Sequence, residues 1–117
     1  MIYLANAYSI HMLPRTFVGT EYTVTQERIS AIEAGNILKE NDFVSAYGHL
    51  NTVKFLARYL HMYIPCKRRV IKLEPGDTLI IAAGESKRDI YAGVRPYPQW
   101  TFWRVEITEV RKQNAED

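Results

Sequence analysis

Gly48 and His49 are the residues whose types and position point most directly to chemistry. They lie in the stretch AYGHLNTVKFL, between an apolar run that predicts a short strand at residues 43–47 and an amphipathic run that predicts a helix from His49 onward. A helix start presents unpaired backbone N–H groups and the positive end of the helix dipole, which favour a phosphate. Glycine lets a ligand approach the backbone, and histidine can donate a proton near neutral pH. The pattern predicts a phosphate site, although a Gly-His pair can equally be an ordinary helix start.

Further polar residues can extend such a site. Asn51 and Thr52 fall in the first turn of the predicted helix and add hydrogen-bonding groups. Asn6 and Ser9 follow the first predicted strand, and ligands often bind at the carboxyl ends of parallel strands. Asn and Ser are also common in turns and helix caps, so the local pattern fits either role. The basic run at residues 67–69 likewise fits a solvated segment or a contact with phosphate.

The periodicity of the apolar residues predicts the elements that position these side chains. The other strands are expected at residues 2–5, 21–25, 69–73, 78–82 and 100–110. The strand at 21–25 alternates and fits a sheet edge, and Thr25 is expected to cap the helix that follows it. The turn sequence Glu74-Pro-Gly-Asp77 predicts a hairpin between the two strands that flank it, and residues 84–99 predict a loop. These elements indicate an α/β or α+β domain with a mixed sheet of about five to six strands flanked by helices.

The length and composition indicate one folded domain. The chain has 117 residues, of which 47% are hydrophobic and 24% are charged, and this composition is typical of globular proteins. We expect a single domain over residues 1–110 and a flexible tail over residues 111–117. A domain of this size is too small to enclose a large ligand by itself, so a sizeable ligand would bind in a cleft between two copies.

Charge and cysteine content narrow the classes of partner. The formal net charge of +2 gives no strong basic excess, so duplex DNA is not expected to bind, whereas a small anionic ligand is compatible. Cys66 is the single cysteine, and no Cys/His spacing suggests zinc, so we expect no disulfide, metal or other cofactor. The sequence has no run of about 18 apolar residues and no basic N-terminal lead, which predicts a cytoplasmic protein without a membrane partner.

Three ordered motifs resemble a known family. They are YLANAYSIHML, SAYGHLNTVKFL and RRVIKLEPGDTLII, followed by FWRVEI near the end of the chain. In this order they resemble the small viral and mobile-element ring nucleases, turreted-virus-type α/β proteins that act as anti-CRISPR proteins against type III systems. The similarity extends from residue 2 to about residue 82. It implies a homodimer whose shared cleft binds cyclic tetra-adenylate, the second messenger that activates CRISPR effector nucleases, and linearises it without metal.

The resemblance also implies roles for individual residues. His49 matches the family's catalytic histidine, and Arg88 falls where the family commonly has an arginine. Asn6 and Ser9 match polar positions of the family's first motif. Together with Gly48, and with Asn51 and Thr52 from the first turn of the predicted helix, they are the residues expected to contact substrate. Tyr91 occupies the position at which the family has an acidic residue, so Glu85 or Asp89 would have to supply a carboxylate if the reaction needs one.

The function implied by the resemblance is a cyclic oligoadenylate phosphodiesterase that antagonises type III CRISPR signalling, in the host cell cytoplasm if the protein is viral. A ribose 2′-hydroxyl attacks the adjacent phosphorus, His49 protonates the departing 5′ oxygen and Arg88 neutralises phosphoryl charge, which leaves a 2′,3′-cyclic phosphate. Residues 88–93 differ from the sequence that the family has at this place, and this difference keeps a second function open. The second function is that of a binding protein of the same fold that sequesters the cyclic nucleotide without cleaving it. A third function, a DNA-binding or protein-interaction dimer, would need a continuous basic face that the sequence does not indicate.

Overall fold

A computed structural model describes residues 1–84 and 99–111. Within these ranges, five strands form one sheet, two α-helices pack on it, and a short 3-10 helix spans Ile10–Met12. The strands are β1 (Ile2–Ala5), β2 (Glu21–Ile29), β3 (Phe43–Ser45), β4 (Thr78–Gly84) and β5 (Trp100–Arg111). The helices are α1 (Ala31–Glu40) and α2 (Leu50–Leu60). Most of the loop predicted at 84–99 and residues 112–117 of the predicted tail lie outside the described residues.

The strand order across the sheet is β2-β5-β4-β1-β3. β1 pairs in parallel with β3 on one side and with β4 on the other, whereas β5 is antiparallel to both β4 and β2. This mixed sheet with two helices confirms the predicted fold class, and β2 lies at an edge as expected. Because β1, β3 and β4 are parallel, the chain leaves all three strands at the same side of the sheet.

Both faces of the sheet are covered, as the burial of β4 shows. Residues 79–82 of β4 are all buried, although successive side chains point to opposite faces. The core on one face lies beneath the two helices and includes Leu38 of α1 and Leu56 of α2. The core on the other face includes Ile71 and Leu73, which precede β4 in the chain. A strand that is buried on both faces needs a continuous apolar run, and this explains the sequence LIIA.

The predicted hairpin between residues 69–73 and β4 is wrong. Its turn does form, since the amide of Asp77 donates to the carbonyl of Glu74 at 2.9 Å and Gly76 has a φ of 94°. However, β1 occupies one side of β4 and β5 occupies the other, so neither side is left for residues 69–73. That segment packs across the face of the sheet instead, where the amide of Leu73 donates to a carbonyl of the 3-10 helix at 2.8 Å.

Helix α1 begins later than predicted. Strand β2 stays paired with β5 as far as Ile29, which lies opposite Phe102, so Thr25 belongs to a strand and caps no helix. Ser30 is the N-cap instead, and its Oγ accepts a hydrogen bond from the amide of Glu33 at 3.0 Å. The apolar spacing around Ile29 fits either a strand end or a helix, and pairing with the long strand β5 decides between them.

Helix α2 has the start and the buried face that the sequence predicts. Val53, Leu56 and Leu60 are buried in the core beneath it. The helix ends where His61 adopts a left-handed conformation with a φ of 54°, and the His61 amide donates back to carbonyls of the last turn. Burial of one face therefore fixes how the N-terminal end of α2 is directed, and the candidate site depends on that direction.

Truncation of Leu56 tests this role of α2. Leu56 is 0% exposed, so Leu56→Ala should lower the free energy of unfolding by about 2–5 kcal/mol because it leaves a cavity in the core. The adjacent Phe55 is 47% exposed, and Phe55→Ala should cost about 1 kcal/mol or less. Urea unfolding followed by circular dichroism measures both values. Equal losses in the two variants would contradict the described orientation of the helix.

Candidate functional site

The ends of β1, β3 and β4 form one edge of the sheet, which we call the carboxyl edge. The register places Leu4 of β1 opposite Ser45, the last residue of β3. Beyond these ends, the amide of Ala46 donates to the carbonyl of Leu4 at 2.8 Å and fixes the two neighbouring chain segments together. Asn6 follows β1, and Gly48 and His49, which we call the Gly48–His49 joint, follow β3. The structure therefore brings these separately predicted residues to adjacent strand ends.

His49 is the N-cap residue of α2. Its backbone is extended, with φ −102° and ψ 110°, and its carbonyl accepts the amide of Val53 at 3.0 Å. Its Nδ1 lies 3.5 Å from the amide nitrogen of Thr52 and 3.2 Å from Thr52 Oγ1. These contacts are those of a capping side chain, so the ordinary structural role is present. The residue is nevertheless exposed, and capping therefore does not remove the imidazole from the surface.

The contacts with Thr52 assign different roles to the two ring nitrogens of His49. In the neutral ring, Nδ1 accepts from the Thr52 amide, which leaves the ring proton on Nε2. In the protonated ring, Nδ1 can donate to Thr52 Oγ1 instead. Nε2 carries a proton in both states. The contacts with Thr52 are therefore made by Nδ1, while Nε2 keeps its proton in either state of the ring.

The start of α2 adds backbone donors beside the imidazole. Leu50 and Asn51 form the first turn, and amides at this position have no partner within a helix. Both residues are exposed, and the positive end of the helix dipole lies at the same place. An anion that contacts these amides would lie next to His49.

Gly48 allows a distant segment to pack closely against the joint. A Cβ atom on Gly48 would lie 2.7 Å from Cβ of Arg68, 3.0 Å from its Cα and 3.2 Å from its Nε. The neighbouring amide of Lys67 donates to the carbonyl of Tyr47 at 2.8 Å and fixes this segment in place. We expected a ligand to approach the backbone at Gly48, but Arg68 occupies the space beside this glycine. Arg68 is itself exposed. The consequence is a guanidinium group directly beside the joint.

Ser9 has a local structural role. Its Oγ accepts a hydrogen bond from the amide of His11 at 3.3 Å and caps the short 3-10 helix. Lys72 fixes that helix to the segment before β4, because its Nζ donates to the carbonyl of His11 at 2.7 Å. A serine hydroxyl can still donate one hydrogen bond after accepting one. The cap is therefore compatible with the predicted ligand contact.

The predicted roles of Arg88, Glu85, Asp89 and Tyr91 fall on residues outside the described ranges and stay predictions. The residues that flank this stretch, Gly84 and Trp100, pair with each other across β4 and β5. They are also in close contact, since a Cβ on Gly84 would lie 2.9 Å from the Trp100 ring. Gly84 is the last residue of β4 and so belongs to the carboxyl edge.

Arg68 and Tyr47 are parts of the site that sequence reasoning did not find. The basic run at 67–69 is visible in the sequence, but nothing local indicates that its middle residue packs on Gly48. Tyr47 was assigned only to a strand, whereas it follows β3, is buried and donates a hydrogen bond from its hydroxyl to the carbonyl of Ala82. Both contacts join residues far apart in the chain, so no local pattern could have revealed them.

The described part of the chain contains no evident metal centre. Among residues 1–84 and 99–111, no group of three or more His, Cys, Asp or Glu side chains is arranged to hold a metal ion. Neither helix in this part of the protein is long and apolar enough to cross a membrane. The groups that the described residues bring together are an imidazole, a guanidinium, backbone amides and neutral polar side chains.

Comparison with known proteins finds similarity to proteins of viruses. Residues 2–88 match the family model described as STIV B116-like. The chain is 32% identical over 80 residues to "Uncharacterized protein 26" of Sulfolobus islandicus filamentous virus (isolate Iceland/Hveragerdi), over 68% of this chain and 64% of that relative's length. The structure of B116 of Sulfolobus turreted icosahedral virus (STIV) superposes with a TM-score of 0.68 at 20% identity, over 90% of this chain and 97% of that one. At this identity, the superposition establishes a shared fold.

Substitution of Gly48 tests the close packing against Arg68. Gly48→Ala should destabilise the protein by about 1–3 kcal/mol, because the added Cβ would overlap backbone and Cβ atoms of Arg68. Gly35→Ala is the matched control. Gly35 lies within α1, and its Cβ would lie 3.8 Å from the nearest atom, which belongs to the Leu60 side chain of α2, so the substitution should be neutral or stabilise by up to about 1 kcal/mol. Thermal unfolding measures both, and a Gly48→Ala variant as stable as the control would refute the contact.

Proposed function

The chain belongs to the STIV B116-like family, and we propose that it is a ring nuclease that binds and cleaves cyclic tetra-adenylate. The observation that supports this proposal best is the position of His49, which caps α2 at the carboxyl edge with Arg68 beside it. A proton donor, a cation and backbone amides thus occur together. Cleavage of a phosphodiester uses these three kinds of group.

The proposed reaction is an internal displacement at phosphorus. A ribose 2′ oxygen forms a bond to the adjacent phosphorus, the bond from phosphorus to the 5′ oxygen of the next nucleotide breaks, and the 2′-hydroxyl proton passes to water. The departing 5′ oxygen needs a proton to leave as an alcohol, and Nε2 of protonated His49 would donate it. The product carries a 2′,3′-cyclic phosphate. Thr52 would hold the imidazole through Nδ1 while Nε2 acts.

The charge that develops on the phosphoryl oxygens needs fixed positive groups. Arg68 lies beside the joint and can supply one, and the first-turn amides of Leu50 and Asn51 can supply others. Arg88 is a further candidate through the family resemblance. The polar residues Asn6 and Ser9 at the end of β1 would contact the sugar or the base rather than the reacting phosphate.

A homodimer belongs to this proposal because of the size and symmetry of the ligand. A ring of four equal nucleotides is large for one domain of this length. A twofold axis would present two copies of the joint to two equivalent phosphodiesters, so one ring would give two identical products. The biological consequence would be removal of the messenger and antagonism of type III CRISPR signalling.

A single assay tests the function. The purified protein is incubated with radiolabelled cyclic oligoadenylates of several ring sizes in the presence of a chelator, and products and bound ligand are separated. Conversion of the four-membered ring to species with 2′,3′-cyclic phosphate supports the nuclease. Retention without cleavage would replace it with a sequestering protein of the same fold, and absence of both would reject a cyclic oligoadenylate ligand.

Two substitutions of His49 separate chemistry from helix capping. His49→Ala should retain binding and lose about 10²- to 10⁴-fold in single-turnover rate, because the general acid is removed. His49→Asn should lose a similar factor, although asparagine remains a good N-cap. His61→Asn, at the opposite end of α2, is the control and should leave the rate unchanged, since asparagine tolerates the left-handed conformation there. Wild-type cleavage by His49→Asn would reject the assignment.

Removal of the Arg68 side chain tests the proposed phosphate contact. Arg68→Ala should weaken binding of cyclic tetra-adenylate about tenfold or more, because a charge-assisted hydrogen bond is lost. It should also reduce the dependence of binding on salt concentration. Arg69→Ala removes the same charge from the next residue and should have the smaller effect on both. Isothermal titration at several salt concentrations measures both affinities. Equal losses of affinity in the two variants would show that Arg68 acts only through its general positive charge and makes no specific contact with phosphate.

A further inference from the structure

The side chain of Tyr47 spans the end of β1. Strand β1 lies between β3 and β4 and pairs with β4 only as far as Ala5, which lies opposite Ile81. Tyr47 follows β3, yet its hydroxyl donates to the carbonyl of Ala82, the first residue of β4 beyond that pairing. The side chain therefore links the chain after β3 directly to β4 across the space where β1 has ended.

The backbone of Tyr47 is also held by hydrogen bonds. Its amide donates to Ser45 Oγ at 3.3 Å, and its carbonyl accepts the amide of Lys67 at 2.8 Å. Tyr47 is buried, and this burial raises the pKa of its hydroxyl, which consequently stays protonated and remains a donor. Gly48 and His49 follow it directly in the chain. Tyr47 is therefore held by hydrogen bonds at its amide, its carbonyl and its hydroxyl immediately before the joint.

We propose that Tyr47 is a positioning residue, whose buried hydrogen bond to Ala82 fixes the distance of the Gly48–His49 joint from the end of β4. Its effect on catalysis rests on the proposed function, whereas its effect on the joint does not. Ala82 lies two residues before Gly84, where β4 ends at the carboxyl edge. Phosphorus and leaving oxygen must meet the imidazole within a narrow range of geometry, so a small displacement of the joint would slow the reaction.

The test removes only the hydroxyl. In Tyr47→Phe, exchange of the hydrogen-bonded amides at positions 46, 47 and 52 should become about tenfold faster, because one buried hydrogen bond is lost. Exchange at Val105, buried in the centre of β5, reports global unfolding and should change less. Single-turnover cleavage of cyclic tetra-adenylate should fall about tenfold while its dissociation constant stays close to the wild-type value. Tyr63→Phe is the matched control, because Tyr63 is 83% exposed, and it should change none of these quantities.

Each outcome decides the proposal. Faster exchange at the amides of positions 46, 47 and 52 without a matching rise at Val105, together with slower cleavage at unchanged affinity, supports it. Exchange that rises equally at Val105 would show that Tyr47 contributes only general stability, and wild-type exchange and cleavage in Tyr47→Phe would show that its hydroxyl has no positioning role. If the wild-type protein cleaves no cyclic oligoadenylate, the proposed function fails, and exchange alone then decides whether Tyr47 fixes the joint.

Discussion

The parallel pairing of β1 with both β3 and β4 is the constraint on which the candidate site depends. Because the three strands run in one direction, the chain segments that follow them meet at one edge. β1 contributes only Ile2–Ala5, but it is the strand that sets the register of its two neighbours. If β4 had formed the predicted hairpin with residues 69–73, one of its two sides would have been taken. β1 or β5 would then have been displaced, and displacement of β1 would have separated the ends of β1 and β3 from the end of β4.

Local patterns were sufficient where the determining contacts are local. The amphipathic spacing in α2 and the glycine and histidine before it predicted the helix, its buried face and its start, since capping and i, i+4 packing involve neighbouring residues. The turn before β4 was also predicted, because it depends on Gly76 and its neighbours. The hairpin around it was not, because strand partners are chosen by competition across the whole sheet. The prediction that Thr25 caps a helix was wrong for the same reason, since pairing with β5 extends β2 to Ile29.

The contacts that make the joint a candidate site are not local, because they join residues far apart in the chain. Gly48 is separated from Arg68 by a helix, and Tyr47 reaches Ala82 across an intervening strand. The sequence shows that a glycine and a basic run exist, but only the fold shows that one packs on the other. It also changes the reason for the glycine, whose φ is not positive and whose missing Cβ accommodates Arg68. Fold class was therefore predictable, while the composition of the site was predictable only in part.

The division between buried and exposed groups at the joint bears on the second subunit in the proposed function. Ser45 and Tyr47 are buried and fix the chain, whereas residues 48–51 are all exposed. Water around exposed groups weakens their interactions with a phosphate, and a surface that closes over them would strengthen these interactions. Leu50 favours such closure, because its apolar side chain is 54% exposed immediately after His49 and would gain free energy on burial. In the proposed dimer, a second copy of the chain would cover these exposed groups, and its own joint would then face the same ligand.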